Sequence, residues 1–198
     1  MPNFNTPVGL VPVEYLSAAN WSGKVRRYHI PAADSNTYAI GDPVTLNGTA
    51  DARGVAGVVR ATPGAGMIGP VVGMGGTAYG GSSVDPTNLN TTVIPATKLR
   101  DYYVLIADDP NTIFEVQEIG TGTALAAADV SLNCNLVFAA NSGFVSGVVL
   151  ANASKATTAT LDVKLLGLRQ ITGNEFGFFS KWSVLINNHL YRAGTAGV

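Results

Sequence analysis

The sequence predicts an all-β protein, an antiparallel β-sandwich or barrel of jelly-roll type. Short apolar segments recur along the 198 residues, with turn residues between them. No amphipathic helical period recurs between these segments, which argues against a parallel α/β sheet. Asn-Gly and Asn-Ser-Gly sequences stand between apolar segments, where a hairpin needs residues that tolerate positive φ.

Residues 1–24 are predicted to form an extended N-terminal arm. Pro2, Pro7 and Pro12 remove backbone donors and oppose a helix. The arm is too apolar to float free in water, so we expect it to lie on its own domain or on a neighbouring protein. The apolar side chains concerned are Phe4, Val8, Leu10, Val11 and Val13.

Residues 25–192 are predicted to be one β domain, followed by a flexible tail at 193–198. In "VRRYHI", alternation places Tyr28 and Ile30 on one face and His29 on the other. Asn47-Gly48 predicts a hairpin turn before the strand "GVAGVVRA". Residues 62–98 are rich in Gly and Pro and carry no charge before Asp85, so an extended loop or a loosely paired hairpin is expected there.

The C-terminal half has a more regular pattern. "YYVLIA" (102–107) predicts a buried strand, and 124–130 is long enough for one helical turn. Asn141-Ser142-Gly143 predicts a second hairpin. Alternation in "TLDVKLLGL" places Leu161, Val163 and Leu165 on one face and Thr160, Asp162 and Lys164 on the other. In "FFSKWSVLI" it predicts that Trp182, Val184 and Ile186 face inward and that Lys181 and Ser183 face outward.

Charge is sparse. Charged residues make up 13 % of the chain and the net charge is −1, against about 25 % charged residues in an average soluble domain. Near-zero net charge favours association, so covered surface is one explanation and a polar, uncharged surface is the other. The basic cluster Lys24–Arg27 is short and continues into a strand, which makes a nucleic-acid site a poor interpretation. Cys134 is the single cysteine, so no intrachain disulfide can form.

Gly64, Gly66 and Gly69 match the spacing G-x-G-x-x-G of dinucleotide-binding loops. That loop works only when a helix follows the third glycine and holds the pyrophosphate at its N-terminus. Pro70 follows Gly69 directly and further glycines come after it, so no helix is expected. The glycines are therefore interpreted as permitting close backbone contacts. No cofactor is expected.

Three other kinds of site are weak in this sequence. His29, His189 and Cys134 lack the close spacing of metal-ligand motifs. Asp108-Asp109-Pro110 is interpreted as turn chemistry, with adjacent side chains pointing to opposite faces, and Glu115 and Glu118 as solvated positions. Trp21 and Trp182 could form a sugar platform, but packing in a core or interface is favoured. No residue pattern indicates an enzyme.

Three segments resemble the capsid cement, or head-decoration, proteins of tailed bacteriophages. They are "GLVPVEYLSAANWSGKVRRYHIPAADSNTYAIGDPV" (9–44), "FEVQEIGTGTALAAADVSLNCNLV" (114–137) and "NEFGFFSKWSVLINNHLYR" (174–192). The resemblance implies an all-β fold, a place on the outer capsid surface of the virion, and the major capsid protein as partner. It implies no catalytic activity and no cofactor.

We therefore expect a non-enzymatic capsid-stabilising protein that also self-associates as a homodimer or homotrimer. Contacts with neighbours are predicted for the arm (2–13) and for the glycine-rich segment (62–83). The predicted interface residues are Phe4, Val8, Leu10, Val11, Gly69, Met74, Tyr79 and Gly81. No signal peptide or long apolar segment is recognisable, so synthesis in the host cytoplasm is expected, with no membrane partner.

Three alternatives remain open from the sequence. One is another structural subunit of the shell or tail. A second is a carbohydrate-binding or receptor-binding β-domain of the virion, which would need exposed aromatic side chains. The third is a hydrolase on a β scaffold, although no pair of carboxylates is selected by the pattern.

Overall fold

The computed structural model of the chain describes residues 3–74 and 93–192. Within them the chain forms β-strands and two 3₁₀ turns, Ala127–Asp129 and Asn152–Ser154, with no α-helix. The strands are β1 Val11–Tyr15, β2 Arg26–Ile30, β3 Tyr38–Ala39, β4 Pro43–Ala50, β5 Ala56–Arg60, β6 Gly69–Met74, β7 Val93–Ile94, β8 Tyr102–Ile106, β9 Thr112–Gln117, β10 Asn133–Cys134, β11 Leu136–Ser142, β12 Val145–Leu150, β13 Val163–Leu168 and β14 Lys181–Ile186. The predicted all-β sandwich or barrel class is confirmed.

One half of the fold is a closed five-stranded barrel with strand order β2-β5-β4-β6-β8. Its neighbouring strands are antiparallel, except that β2 and β5 meet in parallel at His29 and Gly57. Apolar side chains from these strands fill the interior. They include Tyr28, Ile30, Val44, Val58, Val71, Val104 and Ile106, all at most 1 % exposed. Tyr28 and Ile30 thus share one face of β2, as predicted, and His29 on the other face is also buried.

The other half is an antiparallel sheet of order β1-β9-β14-β13-β10, packed against the hairpin β11–β12. Trp182 and Val184 from β14 and Phe114 from β9 are fully buried between sheet and hairpin. The predicted inward face of β14 is correct, because alternate side chains of a strand point to opposite faces. The two-stranded ribbon β3–β7 completes the described strands.

The N-terminal segment joins this second half. β1 pairs with β9, and Trp21 N–H donates to Val13 O at 3.1 Å, so the chain folds back along the free edge of β1. Leu10 is 1 % exposed and belongs to the sheet core. Much of the segment expected to be an arm is thus part of the chain's own sheet.

The turn predicted at Asn47-Gly48 is wrong. β4 runs through both residues to Ala50, and a shift of register between Leu46 and Ala50 marks a bulge, with Gly48 at φ +72°. The chain turns instead after Asp51, whose Oδ1 accepts the N–H groups of Arg53 and Val55. The second predicted hairpin is correct, with Gly143 at φ +64° between β11 and β12.

Two carboxylates, Asp162 and Glu118, are fully buried, although Glu118 was predicted to be a solvated position. Asp162 precedes β13 and accepts the N–H groups of Gly64 at 2.7 Å and Leu136 at 2.8 Å. Glu118 accepts from Leu125 N–H at 2.8 Å, Asn152 Nδ2 at 2.9 Å and Ser180 Oγ at 2.9 Å. Buried charge is tolerated where donors surround it, which alternation along one strand cannot reveal.

Candidate interaction surface

Gly69 begins β6 rather than a helix, so the strand–turn–helix arrangement of a dinucleotide-binding loop is absent from residues 64–74. Its φ is +141°, and a Cβ at this position would collide with Ala107 O. Glycine is therefore needed for a close backbone contact inside the barrel, as predicted. Because Gly69 is buried there, it is not available to a neighbouring protein.

The predicted interface residues have different positions in the fold. Phe4 is 77 % exposed, whereas Leu10 is buried in the core and is corrected from a contact residue to a core residue. Val8, Val11 and Met74 are half-buried. Tyr79 and Gly81 lie outside the described residues. Leu10 and Val11 do meet β6 across an apolar depression of about 200 Å³. Its other lining residues are Pro12, Trp21, Ile40, Val71 and Val72.

Large exposed apolar side chains gather at one end of the five-stranded sheet. Phe176 is 49 % exposed, Phe178 41 % and Ile171 40 %, and all three lie in the loop between β13 and β14. Phe4 and Ile171 line the same depression of about 200 Å³. We call Phe4, Ile171, Phe176 and Phe178 the aromatic patch. Exposed apolar side chains are ordinary when scattered, but several of them on adjoining segments indicate an interaction surface.

The N-terminus is fastened to this loop by the side chain of Asn3. Asn3 Nδ2 donates to Glu175 O at 2.8 Å and to Phe178 O at 3.1 Å, while Asn3 Oδ1 accepts from Glu175 N at 3.1 Å. These bonds hold Phe4 beside the loop. The patch is therefore built from two distant parts of the sequence.

The loop itself is closed by Asn174. Its Nδ2 donates to Arg169 O and Lys181 O, and its Oδ1 accepts from Lys181 N, each at 2.8 Å. Phe179 adopts φ +63°, a left-handed conformation that is costly for a residue with a side chain. The ring of Phe176 lies 5.8 Å from the ring of Trp182, which links the patch to the core. The loop that carries the aromatic patch is therefore held in one conformation by hydrogen bonds and by a ring contact with the core.

Sequence analysis missed the aromatic residues of this loop as surface groups. "NEFGFFSKW" combines Gly with three Phe residues between two strands. Apolar residues in a connection between strands, where polar residues are usual, are the signal that could have identified the patch.

The sites considered weak in the sequence have clear positions. Trp182 is fully buried and cannot serve as a sugar platform. His29 is 5 % exposed, with Nε2 3.1 Å from the Asp101 carboxylate, and His189 is 1 % exposed. In residues 3–74 and 93–192, no group of three or more His, Cys, Asp or Glu side chains is arranged to hold a metal ion. The same residues contain no helix with the length and apolarity needed to cross a bilayer.

Asp108 and Asp109 lie in a loop after β8 rather than in a strand, so strand alternation does not set the directions of their side chains. Both line a cavity of about 470 Å³ together with Lys24, Arg26 and Tyr191. The turn chemistry is confirmed: Asp109 Oδ1 accepts from Asn111 N at 2.9 Å. A second cavity of about 390 Å³ shares Lys24 and Asp109 with the first. We call the two cavities together the polar groove.

Comparisons with protein-family models, with curated proteins and with solved structures found no match to this chain.

Proposed function

We propose that this chain is a non-enzymatic structural protein of a tailed-bacteriophage virion. In this proposal it binds the outer capsid surface and stabilises the joints between major capsid subunits. The aromatic patch is the docking surface, and its partner is an apolar, uncharged depression on the shell. The carrying observation is the patch itself, with Phe4 77 % exposed and Phe176 49 % exposed on a braced loop.

The charge of the chain supports such a contact. Burying an unpaired ion against a partner is costly, and charged residues are only 13 % of this chain. Fully burying a Phe side chain contributes about 1.5–3 kcal/mol. Two or three such anchors reach a useful affinity when copies are linked in a homodimer or homotrimer, because linked copies bind several sites at once and gain avidity. Self-association as a homodimer or homotrimer is part of the proposal.

The test uses a double variant, Phe4→Ser with Phe178→Ser. Phe176 is left in place because its ring covers Trp182. Purified protein is mixed with empty shells of the phage that encodes it, and co-sedimentation is measured against concentration. We expect binding at least tenfold weaker for the double variant, since about 1.4 kcal/mol corresponds to a tenfold change.

Phe144→Ser is the matched control, because Phe144 is 68 % exposed but lies at the tip of the β11–β12 hairpin, outside the patch. It should bind shells as the unaltered protein does. Unaltered protein that fails to bind shells would refute the function. Full binding by a folded double variant would refute the patch as the docking surface.

A further inference from the structure

We propose that the polar groove binds a neutral oligosaccharide, a function separate from capsid docking. The groove runs between the loop that follows β1 and the loop that follows β8. Its two cavities, of about 470 and 390 Å³, adjoin at Lys24 and Asp109. Each lies within the range of about 300–1,000 Å³ found for small-molecule sites. An elongated ligand of two or more sugar units fits this shape.

The groups that line the groove select a neutral, hydroxyl-rich ligand. Lys24 and Arg26 carry positive charge, and Asp108 and Asp109 carry equal negative charge. A polyanion would meet the carboxylates and a polycation would meet the basic groups. A sugar hydroxyl both donates and accepts, so it can pair with either kind of group. The second cavity adds the amides and hydroxyls of Ser17, Asn20, Ser22 and Asn111.

The floor of the first cavity is held in place by hydrogen bonds. Tyr28 Oη donates to Asp108 Oδ2 at 2.5 Å, and Arg26 Nε lies 3.3 Å from the same oxygen. The Tyr28 and Tyr191 hydroxyls are 2.8 Å apart. Fixed polar groups lower the ordering cost of binding a ligand.

Asp108 also has unused hydrogen-bonding capacity. Its side chain is 9 % exposed, and the donors that reach it within the described residues contact Oδ2. Oδ1 therefore remains open to the cavity, where a sugar hydroxyl can donate to it in place of water.

The rim of the groove offers aromatic surface, which suits the C–H face of a sugar ring. Tyr191 is 38 % exposed, and the Arg26 guanidinium carbon lies 5.6 Å from its ring centre. On the other side Tyr15 is only 8 % exposed, with Lys24 Nζ 5.1 Å from its ring centre, so Tyr191 is the ring that the groove presents to a ligand. Aromatic side chains with polar neighbours serve ligands that are apolar on one face and polar at the edge. Ala18, in the tight turn between the lining residues Ser17 and Ala19, has φ +63°, a conformation that an alanine adopts only when its surroundings enforce it.

The test titrates the full chain with a panel of neutral di- to tetrasaccharides built from glucose, galactose, mannose, rhamnose and N-acetylglucosamine. Ligand-observed saturation-transfer NMR measures contact, and calorimetry measures affinity. We expect at least one panel member to bind. Lys24→Met and Tyr191→Leu alter exposed residues of the groove, and each should weaken that binding at least tenfold. Lys24→Met should leave the unfolding midpoint unchanged, whereas Tyr191→Leu also removes the hydroxyl that bonds Tyr28 and should lower the midpoint slightly.

Phe178→Ser, in the aromatic patch, is the control that should leave sugar binding unchanged. Failure of the whole panel at millimolar concentration would overturn the proposal. If both groove variants bind the sugar as tightly as the unaltered chain does, the sugar does not bind in the polar groove. A heparin fragment or an oligolysine that binds while the neutral sugars do not would overturn the ligand class. None of these results bears on capsid docking, which depends on the patch.

Discussion

The ring of Phe179 occupies the space where a Cβ atom on Gly120 would stand. This contact joins the β13–β14 loop to the turn that follows β9, and it explains how Phe179 is held at φ +63°. A glycine at one end of the sheet therefore fixes the loop that presents Phe176 and Phe178.

Gly120→Ala should displace the Phe179 ring and loosen the aromatic patch. Overpacking of this kind costs about 1–3 kcal/mol, and the lower end is expected because the ring is the far end of a side chain. Urea unfolding measures the loss. Gly73→Ala is the control: its nearest contact is the tip of Leu105 at 3.2 Å, and a smaller loss is expected. Equal stability of the unaltered chain and Gly120→Ala would contradict the contact.

Removal of Asp42 should destabilise the chain severely. Asp42 is fully buried between barrel and hairpin, where Oδ1 accepts from Ser146 Oγ at 2.6 Å and Arg60 Nη2 at 3.1 Å, and Oδ2 from Asn141 Nδ2 at 3.0 Å. Asp42→Ala would leave the Arg60 guanidinium without its ion-pair partner, at a cost of about 3–5 kcal/mol. Ser146→Ala removes two hydrogen bonds, the one to Asp42 and the one that Ser146 Oγ accepts from Val148 N–H, and should cost about 1–3 kcal/mol. Denaturant unfolding should give this ranking, and similar losses in both variants would contradict it.

Stability should fall as the pH drops from about 6.5 to 4, because of His189. Its side chain is 1 % exposed, and burial, together with Arg192, lowers its pKa to about 4. Between those pH values the unfolded chain binds a proton that the folded chain excludes, so acid favours unfolding. The loss is about 1.4 kcal/mol per pH unit and is complete below pH 4.

His189→Gln is the control for this pH dependence of the free energy of unfolding, since Gln does not titrate. His189 Nδ1 accepts the Tyr191 N–H at 3.1 Å, and the Gln side-chain oxygen can accept the same N–H. Urea unfolding from pH 8 to 4 should show a flatter profile for the variant. Burial raises the pKa of Asp162, which acts in the opposite direction, but both chains carry that residue. Parallel profiles would show that His189 does not carry the effect.

Truncation should separate the exposed end of the arm from its structural part. Removing residues 1–4 deletes Phe4 and the three Asn3 bonds, and a loss of about 1 kcal/mol is expected because these bonds are exposed. Removing residues 1–12 also deletes buried Leu10 and the start of β1, which should cost more than the 2–5 kcal/mol of a core truncation. The melting temperatures of the two truncated chains, measured against that of the full chain, test this expectation. A fully stable 1–12 deletion would contradict the position of Leu10 in the core.

Local pattern predicted the class of fold and several buried faces. In β14, Trp182, Val184 and Ile186 alternate with Lys181 and Ser183, and the buried set is as expected. The hairpin at Asn141–Gly143 was equally readable, because its turn chemistry is local. The Asn47-Gly48 turn failed because the same positive φ at glycine also serves a bulge within a continuing strand.

The candidate sites were much less accessible to prediction. Leu10 was expected at an interface and lies in the core, while Phe176 and Phe178, two of the four residues of the aromatic patch, were not predicted to be surface groups. Asp108 and Asp109 looked like an ordinary turn, yet they line a cavity with Lys24 and Tyr191. Each of these positions depends on a partner far away in the sequence, such as Asn3 for the loop at 175–178.

By itself the sequence determined that strands would form and which side chains would share a face, since the period of two is a property of the local backbone. Tertiary structure alone decided which faces are covered, and so which carboxylates are buried and which Phe rings meet solvent. The physical reason is that burial depends on contacts between distant segments, and a local pattern carries no information about which segments will meet.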